Sequence, residues 1–119
     1  MFTVMRMITI ASLLLFLSAC AATLKPELPT SVSGGTRFLL SAPAAKSVSL
    51  AGSFNGWSPT AHPMAPAGSD GFWSVVVPLP EGEHAFMYLI DGTKWMVPPL
   101  AQDFVTDGFG NTNGIVVIR

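Results

Sequence analysis

Proline and glycine cut this chain into short pieces: beyond its first twenty residues, no window of a dozen shows helical periodicity free of both. Proline removes a helix donor and clashes with the preceding turn, and glycine loosens a helix interior. A helical domain is therefore excluded, and the signals that remain are those of strands. Thr36 to Ala42 is a short apolar run, and Ser47 to Gly52 alternates Val48 and Leu50 against serines and Ala51. Phe72 to Leu79 is continuously apolar, as in a strand covered on both faces. Glu83 to Ile90 sets His84, Phe86, Tyr88 and Ile90 on one face and Ala85, Met87 and Leu89 on the other. Asp91-Gly92 then has the composition of a type I′ turn, with Trp95 to Val97 as the returning strand and Gly114 to Arg119 as the last. Six or seven short strands at this spacing predict an all-β domain, a sandwich of the immunoglobulin-like type.

Two stretches break the pattern. Residues 21–35 hold two prolines, two glycines and several hydroxyl residues without periodicity, which is the chemistry of a linker. Ser58 to Asp70, with Pro59, Pro63, Pro66 and Gly68, reads as an exposed loop.

Only 11% of the residues are charged against 50% hydrophobic, far from the roughly 25% charged of an average globular chain. The N-terminus accounts for much of the excess. Arg6 precedes an apolar run from Ile8 to Leu17, too short for the ~20 residues that span a bilayer and suited to a secretory signal peptide. The exit Leu17-Ser18-Ala19-Cys20 resembles the lipobox of bacterial lipoproteins, in which the cysteine thiol receives a diacylglycerol and the chain is cut before it. Cys20 is the only cysteine, so no disulfide can form within the chain. The expected segments are a signal peptide at 1–19, a lipidated linker at 20–35 and one domain at 36–119. Loss of residues 1–19 leaves five basic against seven acidic side chains, a formal −2, which gives nucleic acid no electrostatic footing.

Nothing in the sequence assembles catalysis or calls for a cofactor. There is no nucleophile elbow, no phosphate-binding glycine loop and no metal-spaced His/Cys cluster. The histidines are His62 in a loop and His84 in a strand. A glycosidase needs two carboxyls at a set separation, and Glu81, Glu83, Asp91, Asp103 and Asp107 suggest no such pair. The aromatic residues say more. Trp73 lies in the apolar strand and is expected in the core, whereas Trp57 follows an Asn-Gly turn and Trp95 a tight turn. An indole at a turn can serve as an exposed platform, because the C–H face of a sugar ring stacks on it while amides bind the hydroxyl rim. Spacing alone leaves both rings open between platform and core.

Three segments in order carry a family resemblance. Val48-Ser-Leu-Ala-Gly-Ser-Phe-Asn-Gly-Trp57 resembles the signature of the glycogen-binding domain of the AMP-activated protein kinase β subunit. That domain also opens isoamylases and branching enzymes as the family 48 carbohydrate-binding module. Leu79-Pro-Glu-Gly-Glu-His-Ala-Phe-Met-Tyr-Leu-Ile-Asp-Gly92, then Trp95, and Asp107-Gly-Phe-Gly-Asn-Thr-Asn113 continue the likeness over residues 36–119. It implies an early-set immunoglobulin-like sandwich in which Trp57 and Trp95 stack on consecutive glucose units and Asn113 hydrogen-bonds sugar hydroxyls. Phe109 falls where the family packs a side chain on the sugar, and Asn111 near a further polar contact. Two positions depart from it: Met87 stands where the family often has lysine, and the turn before Trp95 is one residue longer than in the kinase subunit.

The function these features lead us to expect is non-catalytic binding of an α-1,4-glucan, with a lipid at Cys20 holding the protein to the periplasmic or outer face of the bacterial cell envelope. The alternatives are a protein-interaction module of the same fold, and an accessory to a separate glucan-active enzyme acting in trans. Cys20→Ser should stop incorporation of labelled fatty acid and release the protein from the membrane fraction. Retention after a high-salt wash would point to a different anchor.

Overall fold

The computed structural model describes residues 24–119, so the signal-peptide reading and Cys20 lie outside the described residues. Among the described residues there are nine strands: β1 (Thr30–Val32), β2 (Gly35–Ser41), β3 (Val48–Gly52), β4 (Ala65–Ala67), β5 (Phe72–Val77), β6 (Gly82–Ile90), β7 (Lys94–Met96), β8 (Asp103–Thr106) and β9 (Thr112–Ile118). They form two antiparallel sheets, one ordered β1-β2-β5-β4 and the other β3-β6-β9-β8, with β7 also paired to β6. This is the expected all-β, immunoglobulin-like sandwich.

Strand alternation decides what lies between the sheets. Phe86, Tyr88 and Ile90 of β6 are buried, as are Val48 and Leu50 of β3, which pair with Ile90 and Tyr88. Phe38 and Leu40 of β2 meet them from the other sheet. The rings of Phe38 and Phe86 lie edge to face, their centroids 5.1 Å apart, and Phe86 repeats that geometry with Tyr88 at 5.8 Å. Burial pushes the Tyr88 phenol upward in pKa. The alternate residues of β6, Ala85, Met87 and Leu89, are left on the outer face of the sheet.

The structure differs from expectation in several places. β1 lies inside the stretch predicted as linker: Thr30 to Val32 pair with Gly35 to Arg37, and Glu27 already forms an ion pair with Arg37. β4 lies inside the predicted loop 58–70 as an edge strand, where Pro66 is tolerated because its missing N–H faces no neighbour. β5 is not covered on both faces, since Val76 is 45% exposed on the outer side of its sheet. Trp73 is half-buried and packs against the core's margin, with its indole N–H donating to the Ala42 carbonyl at 3.1 Å.

Two turns aim the outer face. Asp91 and Gly92 have φ of 53° and 72°, the pair of positive values a type I′ turn needs, and the Thr93 N–H closes it on the Ile90 carbonyl at 3.1 Å. The Asp91 carboxylate accepts the backbone N–H groups of Lys46 at 2.7 Å and Ser47 at 3.0 Å. Those bonds, Ser47's foremost, hold it below the usual carboxylate range and tie the β2–β3 connection to the hairpin that carries Trp95. The second turn follows β3, whose last residue has no room for a side chain. A Cβ on Gly52 would sit 2.4 Å from the Ala85 carbonyl oxygen and 2.5 Å from Phe54 Cε1. Phe54 can swing aside, but the carbonyl belongs to β6. Gly52→Ala should cost about 1–3 kcal/mol of stability through overpacking, read as a lowered midpoint of urea unfolding.

Candidate carbohydrate-binding site

Beyond Gly52, Ser53–Asn55 makes one 3₁₀ turn whose last residue, Asn55, folds its side chain back onto the backbone before the turn. Its Oδ1 accepts the Gly52 N–H at 3.0 Å, and its Nδ2 donates to the Leu50 carbonyl at 3.1 Å and lies 2.8 Å from His62 Nδ1. The Ser53 hydroxyl accepts the Ala85 N–H at 3.1 Å, which fixes the turn to β6. The chain then reverses through two left-handed residues, Gly56 at φ 66° and Trp57 at φ 59°, with the Trp57 N–H on the Gly52 carbonyl at 2.9 Å. A bulky side chain at positive φ is a true outlier, costing about 1–3 kcal/mol, and such strain persists only where the surroundings enforce it. Here it turns an indole outward, 36% exposed.

The second ring comes from β7. Trp95 pairs with Leu89, and cross-strand partners project to the same side. Leu89 shares its face with Met87, so Trp95 stands on the outer face beside Met87, 46% exposed. Both tryptophans are thus surface rings.

The third element is the loop from β8 to β9, closed by the pairing of Thr106 with Thr112. Asp107 organises it. One carboxylate oxygen accepts the N–H groups of Phe109 at 2.8 Å and Asn111 at 3.2 Å, and the other accepts Asn111 Nδ2 at 3.1 Å. These bonds, that from the Phe109 backbone foremost, keep the carboxyl below its ordinary pKa and hence ionised near neutrality. Gly108 and Gly110, at φ 85° and 88°, supply the left-handed turns that bring those amides round.

Trp57, Met87, Trp95, Asp107, Asn111 and Asn113 line one groove of about 410 Å³. Five of the six residues predicted for sugar contact therefore come together. Phe109 does not line the groove; it stands at the apex of the β8–β9 loop, 90% exposed. Asp107 was missed, being weighed only as a glycosidase carboxyl. Its signal was the Asp-Gly-Phe-Gly-Asn run, in which a short acceptor heads a loop whose amides fold back on it. His84 lies elsewhere, its Nε2 2.8 Å from the Pro80 carbonyl oxygen. Among the described residues no three His, Cys, Asp or Glu side chains gather as a metal site.

Two half-exposed indoles, a thioether and two amides make a surface that stacks on apolar ring faces and hydrogen-bonds their rims. That is the chemistry of a carbohydrate-binding module. Residues 22–109 match the family Carbohydrate-binding module 48 (Isoamylase N-terminal domain), and the chain belongs to that family. It is similar to the 1,4-alpha-glucan branching enzyme GlgB of Pseudomonas syringae pv. tomato, 41% identical over 71 residues, 58% of this chain and 10% of that enzyme. GlgB 1 of Streptomyces avermitilis is 52% identical over 50 residues, 41% of this chain and 6% of the enzyme. GlgB of Nitrobacter hamburgensis is 33% identical over 87 residues, 71% of this chain and 12% of the enzyme. The chain thus spans about a tenth of the length of the relatives it matches.

Trp57→Ala and Trp95→Ala should each weaken glucan binding by about 2 kcal/mol, as loss of an anchoring ring does, or roughly thirtyfold. Calorimetric titration reads the affinity, and thermal unfolding the stability. Trp57→Gly should be more stable than Trp57→Ala by about 1 kcal/mol, because glycine accepts positive φ without strain. Equal stability of the two would mean that the left-handed backbone at 57 carries no cost.

Proposed function

We propose that this protein binds an α-1,4-glucan without acting on it, and that a lipid on Cys20 holds it to the bacterial cell envelope. The groove carries the reading: two outward indoles on one sheet face, one of them held at a strained backbone angle, flank amides at their edge. Membership of the carbohydrate-binding family supports it, and the similarity to 1,4-alpha-glucan branching enzymes supports the choice of sugar. The anchor rests on the lipobox-like Leu17-Ser18-Ala19-Cys20.

Met87 favours weak binding. It lies half-buried in the floor of the groove, on the face opposite the core. A lysine there would offer up to three donors to hydroxyls, whereas a thioether offers none and packs against an apolar face. Stacking therefore supplies more of the affinity than hydrogen bonding does. With sugar affinity lost, the same fold would serve as a protein-interaction module; the other alternative is an accessory to a separate glucan-active enzyme.

Affinity electrophoresis in gels with and without glycogen tests the main reading, which expects retardation only with the polysaccharide. Met87→Lys should strengthen binding of a cyclic maltooligosaccharide by about 1 kcal/mol, the usual net value of one added hydrogen bond, with the fold intact. If the parent and a well-folded Met87→Lys both fail to bind, the glucan reading falls and the protein-interaction role is favoured.

A further inference from the structure

The polar inventory of the groove is uneven. Met87 gives no donor, and Asn111 and Asn113 each give an amide. The remaining polar side chain is Asp107, a carboxylate with no cation against it: among the described residues the one ion pair joins Arg37 and Glu27. A carboxylate has about four acceptor positions. Three of them are used, by Phe109 N, Asn111 N and Asn111 Nδ2. The unused one is on the oxygen that meets Asn111 Nδ2, and Asp107 is exposed where it lines the groove.

Asn111 has capacity left as well. Only one of its two amide hydrogens is bound to Asp107, so a hydrogen and the carbonyl oxygen remain. The loop therefore presents an open acceptor and an open donor on groups 3.1 Å apart. Neighbouring hydroxyls of a pyranose can each donate and accept, so one pair of them can meet that edge together. Organising the loop needs no charge, because a neutral asparagine makes the same backbone turn. An ionised carboxylate adds a stronger acceptor, since hydrogen bonds to charged groups exceed neutral ones.

We propose that Asp107 is itself a sugar-binding residue, accepting a hydrogen bond from a glucan hydroxyl beside the Asn111 amide. This rests on the glucan reading above and makes it more specific. The groove then takes part of the sugar rim through an acceptor at the β8–β9 loop, while Met87 on β6 offers no donor. A ligand must then offer a free hydroxyl hydrogen at that edge, so hydroxyl-capped or anionic sugars are disfavoured.

The test pairs a protein change with a sugar change. Asp107→Asn keeps one oxygen for the two backbone N–H groups and removes the charge, the open acceptor and the acceptor of Asn111 Nδ2. The intact protein and the variant are titrated with a cyclic maltooligosaccharide, then with forms of it methylated in turn at the 2-, 3- and 6-hydroxyls. On the unmodified ring the parent should bind about tenfold more tightly, the scale of one charge-assisted hydrogen bond. On one methylated ring that advantage should vanish, because the hydrogen Asp107 accepts is gone. An equal advantage on every ring, or none on the unmodified one, would reduce Asp107 to a loop residue and overturn the assignment. If Asp107→Asn unfolds at lower temperature than the parent, Asp107→Ser, which keeps a short acceptor for the turn, is judged by the same comparison. Failure of the parent to bind any ring would overturn the glucan reading and this assignment with it, a result distinct from selective failure of the variant.

Discussion

The edge-to-face contact of Phe38 and Phe86 sets the separation of the two sheets, and the outer face of β6 takes its position from it. Neither ring has measurable exposure, so β6 cannot shift along its axis or rotate without opening the core. A one-residue slip would exchange Phe86 and Tyr88 for Met87 and Leu89 and empty the core onto the surface. The register that buries the phenylalanines is therefore the one that presents Met87 to the groove.

The other groups of the groove are attached to that strand by short polar links. Ser53 accepts the Ala85 N–H, and the Trp57 N–H reaches back to Gly52, whose lack of a side chain lets β3 press against β6. Trp95 follows from the hairpin at Asp91, and Asn113 precedes Gly114 in β9, which pairs with Phe86 of β6. Gly114 is small for a related reason, since a Cβ there would lie 2.7 Å from Pro98 and 3.2 Å from the Phe86 ring. Gly52 and Gly114 both pair with Phe86, one from each strand that flanks β6.

What the sequence made legible divides along physical lines. Strands with one buried face announced themselves by alternation: β6 separated its two faces correctly, and Asp91-Gly92 showed the turn that follows. β1, β4 and β8 were not seen. The burial of each is slight, every residue of β8 being exposed, so no hydrophobic period marks it, and Pro66 argues against a strand anywhere but at an edge. β5 misled in the opposite sense, because its apolar run suggested two covered faces and one of them meets solvent at Val76. In the groove, Trp57, Met87, Trp95, Asn111 and Asn113 were legible from motif order. Asp107 was not, because its part depends on three hydrogen bonds that close only once the loop is folded.

The cost of building this groove falls on folding, ahead of any ligand. A tryptophan held in the left-handed region, a carboxylate bound to its own loop and an asparagine clamped under the first turn are all fixed by the sandwich. Such a surface loses little conformational freedom when a sugar arrives, since an indole has only two side-chain torsions and here its backbone is already set. The rings are also more than a third exposed, so bound glucose units keep water on their outer side. An arrangement of that kind suits retention of a polymer that runs past it. The water exclusion that sharpens electrostatics around a reacting bond needs a closed site, and this groove lies across an open sheet face.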